Sequence, residues 1–143
     1  MKDNHFWDTN LWIYLLAESQ NEADKQKKIT LENLLQEDNE VHISVQVLNE
    51  TANVLLKKYN LSVLDAQKYI EKISQITNIH PLTEETVAYA FYLKNKYAFS
   101  WYDSLIVSAA KKANCTILYS EDLHNGLVVE ETLVVKNPFA NPS

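Results

Sequence analysis

The chain has 143 residues, 46% hydrophobic and 22% charged, which suits one soluble globular domain able to bury a core of its own. Its basic residues are 13 lysines with no arginine, and 19 acids bring the net charge to −6, which argues against a sequence-specific DNA reader that grips guanine or phosphate with bidentate forks. The single cysteine, Cys115, excludes an internal disulfide and any cysteine-rich metal site. No apolar run reaches transmembrane length, and the first residues show neither the basic stretch nor the small-residue cleavage site of a secretory leader. A cytoplasmic protein with no membrane partner is expected.

In chain order, the first apolar run is "HFWDTNLWIYLL" at 5–16, built around one acid, Asp8. "HFW" at 5–7 reads as a strand. Asp8 at its exit either caps a helix or belongs to a site that a cation occupies, because a buried unpaired charge is expensive. Apolar residues with a period near 3.6 predict helices over 24–37, 45–58, 63–76, 84–97 and 102–113. Between them lie β-prone runs: "VHIS" at 41–44, "TNIH" at 77–80, "TILYS" at 116–120 and "TLVV" at 132–135. One glycine and three prolines leave no room for a linker, so residues 1–143 read as one domain. Helices alternating with short hydrophobic strands predict a three-layer α/β/α sandwich around a mainly parallel sheet of four to five strands. In such sheets sites form where strands end and helices begin.

Four acids fall at or near those junctions: Asp8, Glu50, Asp103 and Asp122. Taken singly, each has a plain structural reading. Asp8 could be an N-cap, Asp103 a first-turn acid favoured by the helix dipole, and Asp122 a turn residue. Asp103, however, is in register with Ile106, Val107 and Ala110. Glu50 sits between Val47 and Val54 on an apolar stripe, with no arginine in the chain to pair it. Four carboxylates at one sheet edge repel one another unless a cation lies among them. Mg²⁺ and Mn²⁺ prefer oxygen ligands, and the chemistry they suit is phosphodiester hydrolysis. His5, His42, His80 and His124 show no metal-ligand spacing and read as structural. Trp7, Trp12 and Trp101 read as core or dimer contacts, and Cys115 as a small core residue.

Four stretches in order and spacing carry a family resemblance: "DTNLWIYLL", "SVQVLNETANVL" at 44–55, "FSWYDSLIVSAAKKANCTILYSEDLHNG" at 99–126, and the closing "LVVKNPF". The chain resembles PIN domains, specifically the VapC toxins of toxin–antitoxin pairs, over nearly its whole length. The resemblance implies that Asp8, Glu50, Asp103 and Asp122 are the catalytic, metal-binding acids. Thr9, Asn10, Ser44 and Ser120 would be supporting polar groups, and Glu121 would share or replace the role of Asp122. The shorter side chain favours Asp122, since it loses less rotamer entropy on holding a metal. Further implications are a Mg²⁺- or Mn²⁺-dependent endoribonuclease acting on RNA, a homodimer, and a cognate antitoxin whose C-terminal tail wraps the toxin. Any basic RNA groove must be made of lysines, with Lys25, Lys27 and Lys28 or Lys57 and Lys58 as candidates. Alternatives are an inactive PIN-like RNA- or protein-binding module, or a free-standing nuclease without antitoxin. A phosphatase with Asp8 as nucleophile is disfavoured, because that mechanism wants a second acid where Asn10 stands.

Overall fold

Strand β1 (Asn4–Trp7) runs up the middle of the sheet in the computed structural model, which describes residues 3–16, 18, 21–37 and 39–140. The chain continues through α1 (Thr9–Leu16), α2 (Glu22–Leu35), β2 (Glu40–Ser44), α3 (Val45–Lys57), α4 (Val63–Ile76), β3 (Asn78–His80), α5 (Glu84–Tyr97), α6 (Trp101–Lys112), β4 (Ile117–Tyr119), β5 (Val128–Val129) and β6 (Leu133–Lys136). The strands lie in the order β3-β2-β1-β4-β6-β5, and every pairing is parallel except β5 with β6. This is the expected α/β architecture, with the helices flanking a mainly parallel sheet. A sheet covered on both faces needs continuous apolar strands. Accordingly Phe6 and Trp7 of β1, Ile43 of β2, Leu118 of β4 and Val135 of β6 are all fully buried.

Helix boundaries follow local chemistry. Asn21, Ser62 and Ser100 accept backbone N–H bonds at the starts of α2, α4 and α6, and Thr83 with Thr86 forms a reciprocal capping box for α5. Helices α4 and α5 have the predicted limits, and the other three differ by at most two residues. Two elements escape the period. Helix α1 buries Thr9, Leu11, Trp12 and Ile13 within eight residues, so it has too little polar face to show a 3.6-residue alternation. Strand β5 is two residues long, and it brings the sheet to six strands among the described residues instead of four to five.

Most of the residues read as structural are buried in the fold, with His124 exposed. Trp7 and Trp12 pack with ring centroids 4.9 Å apart, and the half-buried Trp101 lies against Phe91. Cys115 is buried, and burial pushes its thiol pKa up to about 12, which makes it inert. His42 and His80 stack and share a hydrogen bond of 2.8 Å between Nδ1 and Nε2, joining β2 to the edge strand β3. Among the described residues no helix is long and apolar enough to cross a membrane.

Parallel strands deliver their C-terminal ends to one edge. There β1 hands over to α1 at Asp8, β2 to α3 at Ser44, and β4 to the loop that carries Ser120, Glu121 and Asp122.

Candidate active site

Asp8, Glu50, Asp103 and Asp122 come from four separate segments and line one cleft of about 250 Å³ at that edge. The backbone N–H of Asp8 donates to Tyr119 O at 3.0 Å, which ties the end of β1 to β4. Its side chain is 6% exposed. Oδ1 accepts the N–H of Thr9 at 2.7 Å, and Oδ2 accepts the hydroxyl of Ser120 at 2.9 Å. Burial raises the Asp8 pKa to about 6, and the charges of Asp122 and Asp103 push the same way, against the two hydrogen bonds. A carboxylate built into that environment favours a cation beside it.

Glu50 is half-buried on α3. Each of its oxygens holds one donor: Oε2 accepts Thr9 Oγ1–H at 2.8 Å, and Oε1 accepts Gln46 Nε2–H at 3.0 Å. Asp103 stands half-buried in the first turn of α6, where its backbone N–H donates to the capping Ser100 Oγ at 3.1 Å. Ile106, Val107 and Ala110, in register with it, are buried. Asp122 is more exposed. Its Oδ2 accepts Asn10 Nδ2–H at 2.9 Å, and its backbone N–H donates to Ser120 Oγ at 3.2 Å. Partial burial raises its pKa, helped by the charges of Asp103 and Glu121 and opposed by the Asn10 bond.

The run "DTN" thus serves three acids at once. Asp8 is one of them, Thr9 steadies Glu50, and Asn10 steadies Asp122. The helix starts directly after the strand, so consecutive side chains fan out to different sides of the cleft.

Two expected supporting groups behave differently. Ser44 occupies the N-cap position of α3 with no side-chain capping bond, and its buried Oγ makes no hydrogen bond. Glu121 does not line the cleft. It accepts Tyr14 OH at 2.7 Å and pairs with Lys27 Nζ at 2.5 Å. Burial works to raise its pKa, but the Lys27 and Tyr14 bonds outweigh this and hold it below the usual value. Of the pair, Asp122 is the acid presented to the cleft. Of the lysines that could form an RNA groove, none lines the cleft itself, and Lys27 is committed to Glu121.

The structure adds Gln46, Asn53 and Tyr102 to the residues at or behind the site. Gln46 was legible in principle, since it precedes Glu50 by four residues on the same helical face. Val54 and Ile106 supply apolar lining. Among the described residues, no three His, Cys, Asp or Glu side chains are close enough together to hold a metal ion as they stand. The donor set nonetheless fits a hard divalent cation. It is entirely oxygen, no lysine or histidine among the described residues lines the cleft, and its most buried member is uncomfortable as a bare anion.

A parallel α/β sheet with carboxylates gathered at its C-terminal edge defines the class of an acidic-site α/β protein. The PIN-domain family model matches residues 6–124, and the chain belongs to that family. No curated protein matches the chain. Among solved structures it is similar to a toxin–antitoxin complex from Klebsiella pneumoniae, with 18% identity, TM-score 0.68, and 94% of this chain and 98% of the other covered. It is also similar to VapC20 of Mycobacterium tuberculosis, described as a sarcin-ricin-loop-cleaving toxin, with 19% identity, TM-score 0.64, and 82% and 89% covered. A third is VapBC2 from Rickettsia felis bound to a promoter DNA fragment, with 21% identity, TM-score 0.60, and 83% and 88% covered. At these identities the likeness is one of fold.

Proposed function

We propose that this chain is a Mg²⁺- or Mn²⁺-dependent endoribonuclease and the toxin of a toxin–antitoxin pair, working as a homodimer held in check by a cognate antitoxin. The observation that carries the reading is the cleft itself. Four acids from four segments line it with no lysine or histidine among its described lining residues, and burial raises the Asp8 pKa to about 6. Family membership and the VapC fold neighbours point the same way.

Asp8, Glu50, Asp103 and Asp122 would hold the divalent ion, which when bound supplies charge to the phosphate and a nucleophilic water. The chain's own work is preorganisation. Asp8 is fixed through both oxygens by Thr9 and Ser120, and Glu50 through both by Thr9 and Gln46. Each oxygen keeps further lone-pair capacity turned to no protein donor. Asn10 holds Asp122, whose loop would otherwise leave an exposed acid free to swing. Val54 and Ile106 exclude water from part of the wall.

The test is direct. Purified protein should cleave RNA with Mg²⁺ or Mn²⁺, and EDTA should abolish the activity. Cleavage that survives EDTA would overturn the metal mechanism. A chain that arrests growth when expressed alone, and is relieved by the protein encoded beside it, would support the toxin role.

A further inference from the structure

A nuclease needs a grip on its substrate, and within this cleft the usual one is absent among the described residues. Phosphate contacts by lysine and arginine supply most nucleic-acid affinity. This chain has no arginine and a net charge of −6, and among the described residues no lysine lines the acidic cleft. A divalent ion can neutralise the acids and meet one phosphate, but it cannot hold a strand along its length.

The cleft offers one other kind of handle. Tyr102, immediately before Asp103 in the first turn of α6, lines the cleft and is 64% exposed. Its neighbour Trp101 is spent on packing, with its ring centroid 4.5 Å from that of Phe91. The Tyr102 ring has no aromatic partner among the described residues, and only its backbone carbonyl is engaged, accepting from Gln46 Nε2 at 3.4 Å. A large ring left bare beside a site is a surface awaiting a flat ligand. Asn53, one turn beyond Glu50 on α3, adds an exposed amide that can donate to and accept from a base edge.

We infer that Tyr102 is the platform on which an unpaired base of the RNA stacks next to the scissile phosphate, so that substrate is held by a base more than by its backbone charge. The inference rests on the ribonuclease reading and adds the residue and the mode of grip. It accounts for an acidic cleft with no lysine among its described lining residues. Stacking draws on neither charge nor counterion release, so binding should depend only weakly on salt.

The experiment uses intact protein in Mg²⁺ with a short, fluorescently labelled, 2′-O-methylated RNA pool of random sequence, read by anisotropy, alongside the same pool made abasic. Tyr102→Ala should weaken binding of the base-bearing pool by roughly tenfold and leave the abasic pool unaffected, and Tyr102→Phe should restore affinity to within about twofold. On cleavable RNA, the same Tyr102→Ala change should raise KM more than it lowers kcat. The exposed position leaves folding intact, which a melt checks. Equal binding by wild type and Tyr102→Ala, or an equal loss on both pools, overturns the inference. So does a salt dependence as steep as that of a lysine-lined groove. Wild-type protein that cleaves no RNA at all would overturn the ribonuclease reading instead, and the binding comparison would still judge Tyr102.

Discussion

Replacing Asp8 by Asn should make the metal-free protein more stable, an unusual result for a change at a buried, hydrogen-bonded residue. The unfolded chain ionises Asp8 near 3.8, whereas the folded chain does so only near 6. Below the lower value both states are protonated and the residue contributes nothing. As pH rises through the window the unfolded state releases its proton first, so folding stability falls. Above about 6 the full difference applies, about 2.2 pH units or roughly 3 kcal/mol at 1.36 kcal/mol per unit. Asn has no such burden. Its Oδ1 can still accept the Thr9 N–H and its Nδ2 can donate to Ser120 Oγ, but the buried Ser120 hydroxyl then loses the acceptor it has in Asp8 Oδ2, which offsets about 1–2 kcal/mol of the gain. In a domain of this size the remaining gain of roughly 1–2 kcal/mol corresponds to a few degrees in Tm. Metal should reverse the order of benefit. A divalent ion that binds only the folded state adds about 1.4 kcal/mol at ten times its Kd, and it should do so for wild type more than for the variant. Thermal melts of both proteins near pH 7.5, with EDTA and with millimolar Mg²⁺, read out the two effects, and a melt near pH 4 should show the metal-free gap closing. If Asp8→Asn melts at or below wild type in EDTA, or if both proteins respond equally to Mg²⁺, then Asp8 is an ordinary helix cap and the site loses its innermost ligand.

Other outcomes follow from the same contacts. Asp122→Asn should reduce RNA cleavage far more than Glu121→Gln, which should instead show a stability loss of about 1 kcal/mol or less from its broken pairing with Lys27; the reverse ranking in rate assays would reassign the last ligand. Thr9→Val keeps the shape but removes the hydroxyl that Glu50 Oε2 accepts, and it should lower kcat by roughly 10- to 100-fold in steady-state kinetics with the fold intact by circular dichroism. If the proposed toxin role holds, Asp103→Ala should relieve growth arrest in cells that express the chain alone, at protein levels matched by immunoblot. His42 and His80 are held below their usual pKa of 6.5 by burial, and for His42 also by His80, so the unfolded chain takes up protons first. Stability should therefore fall as pH drops below about 6.5, by up to about 1.4 kcal/mol per pH unit for each histidine. Denaturant titrations in the Asp8→Asn background check this, and substituting both histidines by Gln should make the curve shallower, with the buried His5 supplying what slope remains.

Reading the fold from the sequence succeeded where burial is one-sided. Helices α4 and α5 keep a solvated face, so their period and caps fix both ends: Ser62 opens one, Thr83 opens the other, and the chain closes α5 at Ala98 with a φ of 59°. It failed where the environment is uniform. In α1 the apolar residues fall on nearly every side because the helix is wedged between α2 and α3, and no alternation survives. Strand β5 exists through its pairing with β6, with Val128 opposite Val134 and Val129 opposite Leu133, a tertiary fact that two residues cannot announce.

The site divides along a similar line. The acids were visible because a carboxylate inside an apolar stripe contradicts its surroundings, and that contradiction is local: Glu50 between Val47 and Val54, Asp8 inside "HFWDTNLW". The groups that position them were harder to see, because a threonine, a glutamine or a tyrosine contradicts nothing. Ser44 and Ser120 are both polar residues at strand exits, yet Ser120 Oγ bonds to Asp8 and to the Asp122 amide, while Ser44 Oγ is buried without a partner. Both flank β1, Ser44 at the end of β2 and Ser120 after β4, and what separates them is the strand that Asp8 itself bonds to. The N–H of Asp8 bonds to Tyr119 O, so the residue after Tyr119 is delivered to the carboxylate, and that register is set by the β1–β4 pairing. Glu121 shows the same logic at the next position. It follows Ser120 out of the sheet, meets Lys27 and Tyr14, and is drawn off, which leaves Asp122 to turn back toward Asn10. Side-chain length favours Asp122 over its neighbour from the sequence, and the contact that draws Glu121 away from the cleft is with a lysine 94 residues away in the chain.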